Sequence, residues 1–147
     1  MKKQFLLTVL AAFAFSGAAF AGETPSLPGT TQYFVNLEDG AKVTGPVKVI
    51  FGLSGMGVAP AGVEKEGTGH HHILLDRAPF GEGEDGKDEY DANILADEHN
   101  IHYGKGQTET VLDLPPGEHT LQLVLGDQNH IPHNPPVHSE VITITVE

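Results

Sequence analysis

Histidine is the residue type with metal-binding chemistry that this chain holds in excess. Nine histidines occur in the 147 residues, and all of them lie after residue 69. Three are consecutive, His70, His71 and His72. In an extended strand residues i and i+2 share a face, so we expect His70 and His72 to point together and His71 to point away. Neutral imidazole is a common ligand of Zn(II) and Cu(II), so this spacing could place two metal ligands on one strand.

Further candidate ligands come from two other parts of the chain. His102 lies in the middle of the sequence, and His130 and His133 flank Pro132 in a loop before the last predicted strand. If the fold brings this loop beside the start of the histidine strand, three or four imidazoles converge. The predicted metal ligands are therefore His70, His72, His102, His130 and His133.

The donor types favour copper or zinc as the bound ion. The chain has no cysteine, and Met56 is the only methionine after residue 21. These donors disfavour a Cu(I) site built from sulfur ligands, with Met56 beside two histidines as the remaining alternative, whereas imidazole suits Cu(II) and Zn(II). Because the ligands must be neutral, we expect metal affinity to fall as the pH drops through about 6.5, the ordinary histidine pKa.

A structural role is the alternative for the same histidines. Buried imidazoles often satisfy backbone groups in tight turns, and rings beside prolines can brace a loop. In that case the domain is a module that binds another envelope protein or a glycan. Metal content of the untagged protein distinguishes the two hypotheses.

Enzyme motifs match the sequence poorly. No H-E-x-x-H motif occurs, and the sequence around Ser54 (GLSGM) lacks the last glycine of a nucleophile elbow. His70 and His72 followed by Asp76, with His119 later, resemble the two metal motifs of cupins only faintly, because the spacing differs and an aspartate replaces the expected glutamate. We therefore expect no catalysis, with a cupin-type metal enzyme as a third hypothesis.

Alternating apolar residues predict the elements that must position these side chains. Val47, Val49 and Phe51 alternate with other residues at a period of two, as in a half-buried strand, and Leu121 and Leu123 do the same. Glycine- and proline-rich turns separate the segments, which favours an all-β fold: an antiparallel two-sheet sandwich, immunoglobulin-like. The predicted strands span residues 32–37, 46–53, 71–76, 107–114, 119–125 and 140–146, and the residues expected to face the interior are Val47, Val49, Phe51, Leu121, Leu123, Leu125, Ile142 and Ile144.

The N-terminus predicts export to the periplasm or the medium. Lys2 and Lys3 precede a short apolar stretch that ends in Ala19-Phe20-Ala21, the pattern of a cleavable signal peptide over residues 1–21. No cysteine follows for a lipid anchor, and we expect no membrane insertion after cleavage. Residues 22–31 are predicted to be a flexible leader, and residues 32–147 a single β-sandwich domain with an acidic surface loop at 77–100.

The charge of the mature chain limits its partners. After removal of Lys2 and Lys3, 6 basic residues face 20 acidic ones, a net charge of −14. Such a surface repels nucleic acid and anionic membranes and attracts cations. The expected partners are therefore a metal ion and another envelope protein, with no nucleic acid.

Four segments also match one family pattern. They are residues 56–63 (MGVAPAGV), 68–76 (TGHHHILLD), 101–109 (IHYGKGQTE) and the loop of residues 125–136. With these motifs the chain resembles a family of small exported bacterial proteins catalogued as domain of unknown function 4399. The resemblance implies no activity, but it implies a role for His70, His71, His72, His102, His119, His130 and His133, with His138 at a variable position and His99 departing from the family order.

Together these features predict a periplasmic, histidine-rich metal-binding protein without catalysis. It would serve as a copper or zinc buffer, a carrier or a sensor partner.

Overall fold

The structure, a computed structural model, describes residues 22–84 and 86–147. The predicted signal peptide, residues 1–21, lies outside the described residues. Within those two ranges there is no α-helix, and the one helical element is a 3₁₀ turn at Asp88–Tyr90. None of the described helices is long and apolar enough to cross a membrane.

The described residues form β-strands in two sheets. The smaller sheet has the order β1-β3-β7, and the larger has the order β2-β9-β8-β5-β4 with β6 paired to β5. Most pairs are antiparallel, but β2 and β4, of two residues each, pair in parallel with β9 and β5. The strands are β1 (Thr31–Phe34), β2 (Lys42–Val43), β3 (Val47–Ser54), β4 (Gly57–Val58), β5 (Thr68–Leu75), β6 (Asn100–His102), β7 (Glu109–Leu112), β8 (Gly117–Gly126) and β9 (Ile142–Val146).

The apolar core lies between the two sheets, as the alternation predicts. One cluster joins Val49 and Phe51 of β3 to Leu121 and Leu123 of β8, so side chains of both sheets pack together. All eight residues predicted to face the interior are at most 8% exposed. Removal of this apolar surface from water is the main stabilising force of the sandwich. The prediction of an all-β two-sheet sandwich is confirmed, and its immunoglobulin-like detail stays a prediction.

Leu123→Ala is expected to lower the free energy of unfolding by about 2–5 kcal/mol, because Leu123 is fully buried and its truncation leaves a cavity. Denaturant unfolding of the two proteins measures the difference. Val111→Ala in β7 is a matched control, since Val111 is 62% exposed and its truncation should change stability by less than about 0.5 kcal/mol. A loss below that value for Leu123→Ala would contradict the core assignment.

Residues 22–31 are bound to the domain, which differs from the predicted flexible leader. The Asn134 amide donates to the Thr24 carbonyl at 2.9 Å, and the Ser26 amide donates to the Asn134 carbonyl at 3.1 Å. Pro25 thereby forms an isolated parallel bridge with Asn134. Backbone hydrogen bonds, which composition does not signal, hold this segment in place.

The predicted acidic loop, residues 77–100, covers the outer face of the larger sheet. Phe80 is only 6% exposed and packs with Leu74 and Val124 of the sheet and with the ring of Tyr90. Arg77 forms an ion pair with Glu89. These contacts place the end of the loop beside the outward-facing histidines of β5.

Candidate metal centre

The three consecutive histidines lie on opposite faces of β5. His71 points into the sandwich, where its Nδ1 lies 2.7 Å from Gln32 Nε2 and its ring lies 5.0 Å from the ring of Phe51. His70 and His72 point to the outer face, with ring centroids 4.7 Å apart. The predicted alternation along the strand is therefore confirmed.

Two further histidines complete a cluster on this outer face. His102 of β6 is the direct cross-strand partner of His72, and their rings are stacked at 5.1 Å. His130 follows β8, and its Nδ1 lies 3.0 Å from His70 Nε2. One ring nitrogen from each of the four residues lies within 4.8 Å of the others. We call His70, His72, His102 and His130 the histidine cluster.

Two glycines leave the space that these rings occupy. A Cβ on Gly126 would lie 2.7 Å from His72 Cε1, and a Cβ on Gly104 would lie 2.2 Å from His102 Cε1. Both distances are shorter than van der Waals contact, so a side chain at either position would displace the ring beside it.

Backbone hydrogen bonds fix the orientation of His130. Its φ is +64°, a left-handed conformation that is rare for residues other than glycine. Asp127 stabilises this turn, because its Oδ1 accepts the amides of Asn129 at 2.8 Å and Ile131 at 3.0 Å. The Ile94 amide donates to the His130 carbonyl at 2.8 Å from the other side. His130 is thus held from both sides and aims its ring at His70.

Burial favours the neutral form of His70, His72 and His102. Burial first, and the neighbouring imidazoles second, lower the pKa of His70 to about 4 and that of His72 to about 2. The pKa of His102 is lowered by burial and by His130. Charged imidazole would lose its hydration in this site, so the neutral form is favoured. Metal binding requires neutral imidazole, so these three rings can bind an ion at neutral pH without first losing protons.

Several ring nitrogens of the cluster lack hydrogen bonds. Nδ1 of His70, both nitrogens of His72 and Nε2 of His102 are buried without a partner among the described residues. Buried polar atoms normally have a partner, and leaving one unpaired costs about 1–3 kcal/mol. Lone pairs that are buried, unshared and close together are what a metal ion requires.

The spacing of the four nitrogens suits a first-row metal ion after small ring movements. Bonds of about 2.0–2.1 Å separate the ligand atoms of a tetrahedron by about 3.3 Å and the opposite corners of a square by about 4.1 Å. The four ring nitrogens lie within 4.8 Å of one another, which is only slightly more than the diagonal of the square. His102 and His130 are half-buried and line a cavity of about 210 Å³ with residues 93–96, which offers the ion a route to the cluster.

His133, the fifth predicted ligand, lies outside the cluster. Its Nε2 is 3.2 Å from the Thr68 carbonyl and its Nδ1 is 3.4 Å from the Leu125 carbonyl, so the ring bridges β5 and β8. The structure therefore brings together four of the five predicted ligands. That these residues bind metal stays a prediction.

The remaining histidines also lie away from the cluster. His119 contacts Asp76 Oδ2 at 2.7 Å through Nδ1 and the Pro115 carbonyl at 2.8 Å through Nε2. Both partners are acceptors, which favours the protonated ring, and the hydrogen bond to Asp76 raises the pKa of His119. His99 and His138 are exposed. The faint cupin-like set is therefore divided, because Asp76 and His119 pair with each other.

Sequence reasoning missed the residues that shape the site. Asp127, which is 2% exposed, and residues 93–96 of the cavity wall carry no metal-ligand pattern. A signal for Asp127 was present, since an aspartate followed by Gln128 and Asn129 is typical of a side-chain-stabilised turn.

The comparisons with known proteins give one match. The model of the family described as "Domain of unknown function (DUF4399)" matches residues 49–147, which include the whole histidine cluster. Comparisons with curated proteins and with solved structures give no match.

Proposed function

The chain belongs to the DUF4399 family, as its motifs predicted, and from that premise we propose that it is a periplasmic metal-binding protein without catalysis. The histidine cluster would bind one copper or zinc ion, and the protein would serve as a buffer, a carrier or a sensor partner. The observation that carries the proposal is the convergence of four imidazoles whose reachable nitrogens lie within 4.8 Å of one another.

The energetics of the cluster support metal binding over a purely structural role. A structural histidine normally gains hydrogen bonds from burial, as His119 and His133 do. Neither ring nitrogen of His72 reaches hydrogen-bond geometry with a protein group among the described residues, although the ring is fully buried. A bound ion would use the one lone pair that each neutral ring carries and would offset the cost of burying that nitrogen.

Copper(II) is the ion that the donor set favours. Nitrogen sites bind Cu(II) more tightly than Zn(II) in the general order of divalent metals, and four imidazoles suit its tetragonal geometry. Structural zinc sites also have four protein ligands, and these four ligands fill the coordination shell. This count also supports the absence of catalysis, because catalytic zinc sites usually keep a position for water or substrate.

Titration of the metal-free, untagged protein with Cu(II) and Zn(II) tests the proposal. We expect one ion per chain, dissociation constants well below micromolar and tighter binding of copper. Affinity should persist below pH 6.5, because the lowered pKa values of His70 and His72 delay competition by protons. Binding of both metals weaker than micromolar would contradict the proposal.

One observation favours the second candidate function, a module that binds another envelope protein or a glycan. Tyr33 and Val111 belong to the smaller sheet, and they are 47% and 62% exposed, as is Val35 at 55% just after β1. Exposed apolar side chains grouped on one sheet are typical of contact surfaces. If neither metal binds, this surface becomes the better candidate for the functional site.

A further inference from the structure

The backbone of Gly22 occupies a narrow site between two loops. Its nitrogen donates to Asp91 Oδ1 at 2.8 Å, across 69 residues of sequence, and Gly22 is buried. Its φ is +54°, and a Cβ would lie 2.3 Å from the Pro132 carbonyl oxygen. Both the conformation and the space therefore favour glycine at this position.

Gly22 is also the residue that directly follows the predicted cleavage motif Ala19-Phe20-Ala21. We propose that cleavage after Ala21 creates at Gly22 an α-ammonium group that binds the Asp91 carboxylate and fastens the loops around the histidine cluster. Hydrolysis of the Ala21–Gly22 peptide bond leaves a carboxylate on the released signal peptide and the amine on Gly22. The proposal rests on the proposed export and on the proposed metal site.

The chemistry of the new terminus strengthens the contact that the amide already makes. A peptide nitrogen offers one donor and no charge, whereas an α-ammonium offers three donors and a positive charge at neutral pH. The hydrogen bond to the Asp91 carboxylate is already charge-assisted, and a positively charged donor adds ionic attraction to it. Processing would therefore tighten the Gly22–Asp91 contact without any movement of the chain.

Both loops held by this segment lead directly to His130. Three residues after Asp91, the Ile94 amide donates to the His130 carbonyl at 2.8 Å. On the other side, the Thr24 hydroxyl donates to Asp127 Oδ2 at 2.6 Å, and Asp127 shapes the turn that orients His130. The first three residues of the mature chain thus hold both supports of one candidate ligand. Processing would regulate how firmly His130 is positioned.

Amide hydrogen exchange in the metal-free protein tests the proposal. Three forms are compared: the chain that starts at Gly22, the same chain acetylated on its α-amine, and a chain that keeps Phe20 and Ala21. We expect the Ile94 amide to exchange about tenfold more slowly in the first form than in the other two. Asp91→Asn should abolish this difference, because the amide of asparagine carries no charge.

Asp88→Asn is the matched control, since Asp88 lies in the same loop without a hydrogen bond to Gly22. The difference between the forms should persist in that variant. Equal exchange in all three forms, or a difference that survives Asp91→Asn, overturns the proposal. A terminus other than Gly22 in the exported protein, read by mass spectrometry, overturns it as well.

A metal titration of the same three forms separates this proposal from the metal-binding one. If the cluster binds copper, the chain that starts at Gly22 should bind it at least threefold more tightly than the acetylated form. Absence of metal binding in every form counts against the proposed function alone, because the exchange measurement needs no metal. Equal copper affinity in all forms contradicts the link between processing and His130.

Discussion

His72→Leu is expected to abolish tight metal binding and, at the same time, to stabilise the metal-free protein. His72 is fully buried on β5, and neither of its ring nitrogens has a hydrogen-bond partner among the described residues. Each unpaired buried polar atom costs about 1–3 kcal/mol, and leucine removes both. Replacement of a buried side chain by one of similar volume but different shape costs less than about 1.5 kcal/mol. The free energy of unfolding should therefore rise by about 1 kcal/mol.

His71→Leu is the matched control on the neighbouring residue of the same strand. His71 faces the core, and its Nδ1 contacts Gln32 Nε2 at 2.7 Å, so leucine leaves a buried amide without this partner. Leucine also removes the unpaired Nε2 of His71, so the two effects offset each other. This variant should therefore gain no stability and should keep its metal affinity. Denaturant unfolding and copper titration of both variants provide the comparison.

The opposite pattern would support structural histidines. If His72→Leu destabilises the protein by more than about 1 kcal/mol and the unmodified protein binds no metal, the cluster stabilises the fold by itself. Both changes affect one strand and one residue type, so a general sensitivity of β5 to substitution cannot stabilise one variant alone.

The longer strands could be predicted from sequence, and the shortest could not. Apolar residues recur at every second position four times in β3 and three times in β8, which defines a period of two. β2, β4 and β6 have two or three residues, too few for any period, and they exist only because a longer strand lies beside them. The omission of β6 matters for the site, because this strand places His102 directly opposite His72.

The candidate site was predictable where strand geometry alone decides it. The spacing of His70 and His72 fixes their shared face, whatever the rest of the fold does. The choice between His130 and His133 depends instead on a loop whose shape comes from Asp127 and from a distant amide, that of Ile94. No spacing rule contains those hydrogen bonds, so both loop histidines were candidates and only His130 joins the cluster.

The same distant contacts explain why residues 22–31 were predicted to be flexible. Their glycine, proline and threonine content is typical of linkers. Their order comes from Asn134, Asp127 and Asp91, which lie far away in sequence.

The metal-free protein is expected to lose a few kcal/mol of stability between pH 6.5 and pH 5. The pKa values of His70 and His71 are lowered to about 4 and that of His72 to about 2, in each case mainly by burial, while unfolded histidine keeps a pKa near 6.5. In this range the unfolded chain binds protons that the folded chain does not, so stability falls as the pH falls. Each of the three residues contributes up to about 1.4 kcal/mol per pH unit.

His119 does not offset this loss. Its pKa is raised by Asp76, so its contribution is fully present below pH 6.5 and is lost only as the pH rises through the folded value.

Unfolding by urea at half-unit pH steps measures the slope of stability against pH, which should approach three protons near pH 5.5. His72→Leu should reduce it by one proton, about 1.4 kcal/mol per pH unit. A slope below one proton in the unmodified protein would mean that the buried histidines accept protons in the folded state and that the cluster is open to water. Because typical domains are stable by only about 5–15 kcal/mol, the metal-free protein should approach unfolding near pH 5. A bound ion should protect it, because the preformed cluster should bind the metal more tightly than the unfolded chain does.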